Sequence, residues 1–375
     1  MQFLPIILTM AFATIEKPAP TSDSPPSREQ VRKSVESSLA FLEKNGTAWW
    51  TSNKCASCHH VPISIWTLNE ARKRGIAVND KALDQLREWA VTSYANHPKL
   101  RPVGQDGEEK GSSVSMNTVY LSLAVDSADK LDEKMAEAIK KFTVHLLAAQ
   151  DADGSWKSSA TLPPVGDITE VRTMLVLLAL ASTHEKGLIE TDRWMQARDK
   201  ALAWLGKQKF LDQNQSWNLR VLVAKRFGKS DEVQALVKQL LEQQEADGGW
   251  SQTREIVSDS LKDYDGKKTG PAPAKAEKRP SDAMATGQTL YALSMAGLDP
   301  QHPGLQSALA YLIRTQTKDG SWRVPIRSQK NSGTALSHYG TGWAALGLMQ
   351  TLAAPVGQKE KAAAAGGSKL RQARE

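Results

Sequence analysis

The sequence predicts an all-α fold in which six helical hairpins form a ring, with one layer of helices inside another. Nearly every segment after residue 27 has helical periodicity, and no segment alternates in the way of a half-buried strand. Three loops share the pattern Gln-x-x-Asp-Gly-x-Trp, at Gln150–Trp156, Gln244–Trp250 and Gln316–Trp322. Each loop follows an amphipathic helix and precedes a helix that is apolar nearly all round, so the second helix belongs inside.

The first 27 residues are expected to precede the ring. Residues 3–13 form an apolar run too short to span a bilayer, and Ala11-Phe12-Ala13 fits a small-residue cleavage site. Residues 1–13 are therefore a candidate signal peptide, and residues 14–27, rich in Pro, Ser and Thr, are a candidate linker. We expect an exported protein, periplasmic in a bacterium or extracellular, without a transmembrane anchor in the mature chain.

Pairing each amphipathic helix with the apolar helix after it gives six hairpins within residues 28–354. Two degenerate copies of the Trp loop, residues 41–46 with Trp49 and residues 204–208 with Trp217, mark further joints. Such a closed ring covers both ends that an open solenoid has to cap. The predicted pairs are 28–46 with 62–75, 79–97 with 113–126, 129–150 with 166–182, 191–209 with 216–227, 230–245 with 281–297, and 303–317 with 337–352.

Two polar segments interrupt this pattern. Residues 251–280 form a Lys- and Pro-rich insertion in the fifth hairpin, and residues 355–375 form an Ala-, Gly- and Lys-rich tail. We expect both to be mobile. Much of the formal net charge of +7 lies in them. The ring itself is near neutral, which argues against nucleic acid as a partner.

The three Trp loops resemble the QW-type motifs of the squalene cyclase and protein prenyltransferase superfamily. That resemblance implies an α/α-toroid over roughly residues 28–352, and it makes the loops structural elements. The superfamily's catalytic motifs are missing. There is no Asp-x-Asp-Asp acid, since Asp151-Ala-Asp153-Gly154 belongs to a turn, and no later Asp and Cys match the prenyltransferase zinc ligands.

The two cysteines of the chain, Cys55 and Cys58, stand directly before His59 as Cys-Ala-Ser-Cys-His. This spacing is typical of covalent attachment of a c-type haem, with His59 as the proximal iron ligand. Three other interpretations stay open: a zinc site that includes another histidine, a disulfide or redox pair, and two structural thiols.

The ring places this motif in the first loop between an outer and an inner helix, at the end where all the inner helices begin. Hairpin one then adjoins hairpins six and two, whose inner helices begin near His338 and Met116. We predict His338, or else Met116, as the distal ligand. Asp167 and Asp282 also lie at inner-helix starts and are weak catalytic candidates, because carboxylates there are commonly caps.

These features lead to one predicted function and two alternatives. The first is electron transfer with a redox partner, or haem-based sensing, by a toroid that carries one haem c. The second is a terpenoid cyclase or prenyl-lipid-processing enzyme that binds an isoprenoid lipid and uses a divergent acid. The third is a non-catalytic binding scaffold. Whether the protein is an enzyme stays open at this stage.

Overall fold

The computed structural model describes residues 25–53, 60–96, 116–157, 168–209, 213–252, 280–324 and 334–352. Within these ranges the regular structure is helical, with no strand, as predicted. None of the helices found there is both long and apolar enough to cross a bilayer.

In the described ranges, twelve α-helices alternate between an outer and an inner layer. The outer helices are α1 (Arg28–Asn53), α3 (Asp80–Glu88, continued by a π-helical turn at Trp89–Tyr94), α5 (Glu133–Ala148), α7 (Thr191–Leu205), α9 (Ser230–Glu242) and α11 (Pro303–Thr315). The inner helices are α2 (Val61–Lys73), α4 (Met116–Asp126), α6 (Thr169–Glu185), α8 (Asn214–Arg226), α10 (Ala283–Ala296) and α12 (Thr334–Thr351).

The inner layer closes on itself. Each inner helix contacts the next from α2 through α12, and α12 in turn contacts α2. In the outer layer α1 contacts both α3 and α11, so the first and last hairpins are neighbours. The fold is therefore an α/α-toroid, as the sequence predicts. We call the end where the inner helices begin the mouth, and the other end the far end.

Each Trp loop is fastened to its hairpin by the tryptophan. The indole nitrogens of Trp156, Trp250 and Trp322 donate to helix carbonyls of the preceding outer helix, at 2.6, 2.7 and 2.8 Å. The backbone nitrogens of the same residues donate to threonine hydroxyls on the following inner helix, at 3.1, 3.0 and 3.0 Å. These acceptors are Thr173, Thr286 and Thr341, so the three threonines face outward at equivalent positions.

The glutamine of each loop fastens the hairpin to the next one. Its side-chain nitrogen donates to the glycine carbonyl of its own loop and to a carbonyl of the following outer helix. Gln150 reaches Ala197 and Gln244 reaches Gly304 in this way. Gln316 reaches Ser34 of α1, at 2.9 Å, and thereby joins the last hairpin to the first.

Backbone conformation and close packing both require glycine at this position of each loop. Gly154, Gly248 and Gly320 have φ values of 95°, 88° and 85°, in the left-handed region. A Cβ at any of them would also collide with a backbone carbonyl of the next outer helix. For Gly320 that carbonyl belongs to Ser37 of α1, so the joint that closes the ring leaves no room for a side chain.

The prediction of a degenerate turn at residues 41–46 is wrong, because α1 continues through Gly46 to Asn53. A Cβ at Gly46 would stand 2.6 Å from the Ser64 hydroxyl. Gly46 thus allows close packing of α1 against α2 rather than a reversal of the chain. The π-helical turn that ends the second outer helix was also not predicted.

The outward threonines fix which side chains point to the axis of the ring. Successive helical residues are 100° apart, so positions two before, two after and five after such a threonine point to the opposite side. Thr118 of α4 is a fourth member, since its hydroxyl faces Tyr94 of the outer layer at 3.2 Å. The axial positions so defined are Tyr120 and Leu123 on α4, Val171, Leu175 and Leu178 on α6, Met284, Gln288 and Tyr291 on α10, and Tyr339, Trp343 and Leu346 on α12.

Replacing Gly320 by Ala should destabilise the protein more than replacing Gly228 by Ala. Both glycines have positive φ, at 85° and 77°, but a Cβ at Gly228 meets nothing within 4 Å. We expect a loss of about 1 kcal/mol for Gly228→Ala from backbone strain, and at least about 2 kcal/mol more for Gly320→Ala from the collision. Urea unfolding of both variants measures the difference. Equal losses would contradict the close contact between Gly320 and Ser37.

Candidate functional site

A cluster of aromatic and histidine side chains lies at the mouth, where α1 ends and α2 begins. The ring of His60, the residue before α2, stacks between Trp49 at 3.9 Å and His338 at 4.7 Å between centroids. Phe41 lies 5.8 Å from His338 on the other side. His60 and His338 are 5% and 1% exposed, so this histidine cluster is buried.

A hydrogen bond between Ser64 and His338 joins α2 to α12 in this cluster. The Ser64 hydroxyl lies 3.0 Å from His338 Nε2, and it also lies within reach of the carbonyl oxygens of His60 and Leu42, at 3.0 and 3.3 Å. A hydroxyl has one hydrogen to donate, and the two carbonyls are obligate acceptors. We therefore assign that hydrogen to a carbonyl and let Nε2–H donate to Ser64, which makes Nδ1 the acceptor nitrogen of His338.

A hydrogen-bonded tyrosine pair lies on the axis near the mouth. The Tyr339 hydroxyl donates to the Tyr120 hydroxyl at 2.5 Å, and both residues are at most 1% exposed. The two helices α12 and α4 are separated in the ring by α2, so this bond passes across the axial face of α2. Their rings pack edge to face, with centroids 5.6 Å apart.

Aromatic side chains continue down the axis from this pair. Trp343 lies 6.2 Å from Tyr339, 5.3 Å from Trp66 of α2, and 5.8 Å from Tyr291 of α10. Trp66 also meets Tyr291 edge to face at 6.4 Å, across the axial face of α12. The Gln288 side chain points to the same axis from α10, between Met284 and Tyr291. We call Tyr120, Tyr339, Trp343, Trp66, Tyr291 and Gln288 the axial site.

Of the two carboxylate candidates, Asp167 and Asp282, the structure describes only the second. Asp167 lies outside the described residues. Asp282 is the N-cap of α10, and its Oδ1 accepts from the backbone nitrogens of Met284 and Ala285 at 2.9 and 3.0 Å. It is 5% exposed, and burial raises its pKa to about 6, against the hydrogen bonds from Ala285 and Gln252 that favour the ionised form. Asp282 thus serves the helix start.

A buried ion pair, not foreseen from the sequence, connects α6 to α8. Arg220 donates through Nε to Glu170 Oε1 at 2.5 Å, and the side chains of Arg220 and Glu170 are 10% and 4% exposed. Glu170 follows Thr169 in the first turn of α6 and would pass for a first-turn acid. Only the fold reveals that Arg220, two turns into the next inner helix, reaches it.

Only some of the predicted cofactor ligands are among the described residues. Cys55, Cys58 and His59 lie outside the described residues, and so does the Met116 side chain. The neighbouring position of hairpins six and one, on which the choice of His338 rests, is observed. Among the described residues no group of three or more His, Cys, Asp or Glu side chains could hold a metal ion. Haem c, zinc and the ligand roles of His59, His338 and Met116 stay predictions.

Similarity to known proteins is confined to the fold. No protein-family model matches the chain, and no curated protein matches it significantly in sequence. A polysaccharide lyase superposes with a TM-score of 0.54 at 13% identity, over 87% of this chain and 98% of its own. A glycosyl hydrolase of family 88 from Bacteroides vulgatus superposes with a TM-score of 0.52 at 11% identity, over 87% and 99%. At such identities the likeness supports a helical toroid and not squalene cyclase in particular.

These neighbours correct the function predicted from the sequence. Their names refer to polysaccharides and glycosides, not to electron transfer or haem. The prediction of electron transfer or haem-based sensing is therefore wrong. The terpenoid or prenyl-lipid alternative and the plain scaffold do not match them either. The error arose because a five-residue motif and three structural loops carried the whole functional argument.

The stability of the protein should depend on pH through Asp282. Its pKa is about 6 in the folded chain and 3.8 in the unfolded chain, so the folded state binds more protons between these values. Stability therefore falls as the pH rises through this window, and the loss is complete above about pH 6. Asn at this position caps equally well and does not titrate.

Relative to wild type, Asp282→Asn should gain about 2–3 kcal/mol of unfolding free energy between about pH 3.5 and pH 7.5. Urea unfolding of both proteins across that range measures the gain. The same pH dependence in both would show that Asp282 is not the group that titrates.

Proposed function

We propose that this protein processes a carbohydrate polymer, with the axial tyrosine pair taking part in proton transfer. The carrying observation is the hydroxyl pair of Tyr120 and Tyr339, held on the axis of a toroid of the kind seen in a polysaccharide lyase and a glycosyl hydrolase. Aromatic rings beside a few polar groups are the usual lining of small-molecule sites.

The described carboxylates favour elimination over hydrolysis. Glycoside hydrolysis ordinarily needs two carboxyl groups that flank the scissile bond. Glu170 is held by Arg220, and Asp282 is held by two backbone nitrogens. None of the axial positions in the described parts of α4, α6, α10 and α12 is an Asp or Glu. A pair of carboxylates facing a sugar is thus not offered by this part of the chain.

Elimination makes a different demand on the site. A base removes a proton from the carbon beside a carboxyl group, the C–O bond breaks as a C=C bond forms, and the leaving oxygen takes up a proton. Tyr and His side chains both serve as general acids and bases. In this scheme one oxygen of the tyrosine pair, as tyrosinate, takes the proton from carbon, and the hydroxyl of the other tyrosine protonates the leaving oxygen. A proton then passes across the hydrogen bond between Tyr120 and Tyr339 and restores the starting state.

The test is an assay of purified protein on a panel of carboxylated and neutral polysaccharides. We expect cleavage of a carboxylated polymer with growth of the ultraviolet absorbance of an unsaturated product, and a loss of about 100-fold or more in kcat for Tyr339→Phe. Tyr94→Phe is the matched control. It removes the hydroxyl of a tyrosine in the outer layer, which is hydrogen-bonded to Thr118 and lies away from the axis.

Each other outcome points elsewhere. New reducing ends without an unsaturated product would indicate hydrolysis and overturn the elimination. Unchanged turnover in Tyr339→Phe would remove the tyrosine pair from the mechanism. No turnover and no binding of any polysaccharide would overturn the proposed function as a whole.

A further inference from the structure

The axis of the ring is closed in its middle and partly open toward the far end. At the level two residues after the outward threonines, Tyr120, Leu175, Gln288 and Trp343 are at most 3% exposed. Three residues further on, Leu346 is still fully buried, but Leu123, Leu178 and Tyr291 are only half-buried, although they face the inside of the ring. Solvent therefore reaches the axis from the end opposite the mouth.

These side chains surround the far end of the axis, and we call the space between them the cup. Trp66 belongs to it, because it is half-buried and meets Tyr291 and Trp343 edge to face at 6.4 and 5.3 Å. We define the cup by the walls Trp66, Leu123, Leu178 and Tyr291 and by the floor, Gln288 and Trp343. Apolar side chains that face one another across the axis can bury a ligand together. Single apolar residues scattered over a surface do not.

The floor of the cup carries polar atoms that no described residue bonds. Both amide atoms of Gln288 and the indole nitrogen of Trp343 are buried without a hydrogen-bond partner there. An amide buried in this way lowers stability, and such groups in native proteins usually bond a ligand or an ordered water. The equivalent of Gln288 on α6 is Leu175, so an apolar residue would fit the fold at this position.

The charges at the rim of the cup are already paired. Burial raises the pKa of Tyr291, and among nearby charges Glu70 raises it while Arg74 and Arg226 lower it. Glu70 bonds Lys73 at 3.2 Å, and Arg226 bonds Glu185 at 2.8 Å. Arg74 donates to the Leu352 carbonyl at 3.2 Å. Each of these charged side chains thus already has a partner within the protein, which favours an uncharged ligand.

We propose that this cup binds a small uncharged molecule that has a flat apolar body and one hydroxyl or carbonyl group. The body packs against Trp66, Leu123, Leu178 and Tyr291, and the polar group bonds the Gln288 amide. The cup shares Trp66, Tyr291, Trp343 and Gln288 with the axial site but excludes the tyrosine pair, and the proposal does not depend on the carbohydrate function. The apolar wall favours an apolar ligand body, and the amide favours one polar group on that body.

Phenol and toluene test the proposal, because they share an aromatic body and differ in one hydroxyl. Isothermal titration calorimetry on the full chain should show phenol binding about threefold to tenfold more tightly than toluene. Gln288→Met, of matched length and without an amide, should abolish that preference while toluene still binds. Gln239→Met, on the exposed face of α9, is the matched control and should leave both affinities unchanged.

A second variant locates the ligand. Leu178→Trp should fill the cup and weaken both compounds at least tenfold, while Leu188→Trp, in a partly buried loop outside the axis, should not. Failure of both compounds to bind wild type overturns the proposal. So does a preference for phenol that survives in Gln288→Met, or affinities that Leu178→Trp leaves unchanged.

Discussion

The architecture depends on one joint, the side-chain amide of a loop glutamine that bonds its own loop and the next outer helix. Nothing in a single hairpin determines where its neighbour stands, since each buries its apolar inner helix only when others surround it. The hydrogen bonds of the glutamine fix the distance between neighbouring hairpins. The glycine beside it has no side chain, so the two backbones can come into contact. At Gln316 the same joint reaches Ser34 of the first outer helix, so a repeated contact becomes a closed ring.

Closure decides what the interior can contain. The tryptophan nitrogens of the loops bond the outward threonines of α6, α10 and α12, which fixes the rotation of these three inner helices about their own axes. Residues on the opposite side are then brought together from helices that are not neighbours. The bond between Tyr120 and Tyr339 and the packing of Trp66 on Tyr291 both arise in this way.

Much of this fold could be predicted from the sequence, because Gln150, Gln244 and Gln316 recur with the same loop and because their flanking helices differ in polarity. Gly46 was misread as a turn, since a glycine needed for close packing on Ser64 and a glycine needed for positive φ look alike in a sequence. The pairing of Arg220 with Glu170 depends on the distance between two inner helices and leaves no local signal.

The candidate site was harder to predict than the scaffold. The position of His338 at the joint with the first hairpin follows from ring closure, whereas Tyr120 and Gln288 lie in helices whose sequences look apolar and give no sign of a site. Aligning the inner helices on Thr173, Thr286 and Thr341 would have exposed Gln288 as a polar residue where its counterparts are Leu175 and Trp343. The motif at Cys55 misled about function, because a short motif carries no information about the cavity beside it.

A double-mutant cycle between Ser34 and Gln316 tests ring closure most directly. The Ser34 hydroxyl donates to Gln316 Oε1 at 2.8 Å, between the second turn of the first outer helix and the C-cap of the last one. Unfolding free energies of Ser34→Ala, Gln316→Ala and the double variant should give a coupling of about 1 kcal/mol. A coupling of zero would mean that the first and last hairpins do not meet and that the chain is an open solenoid.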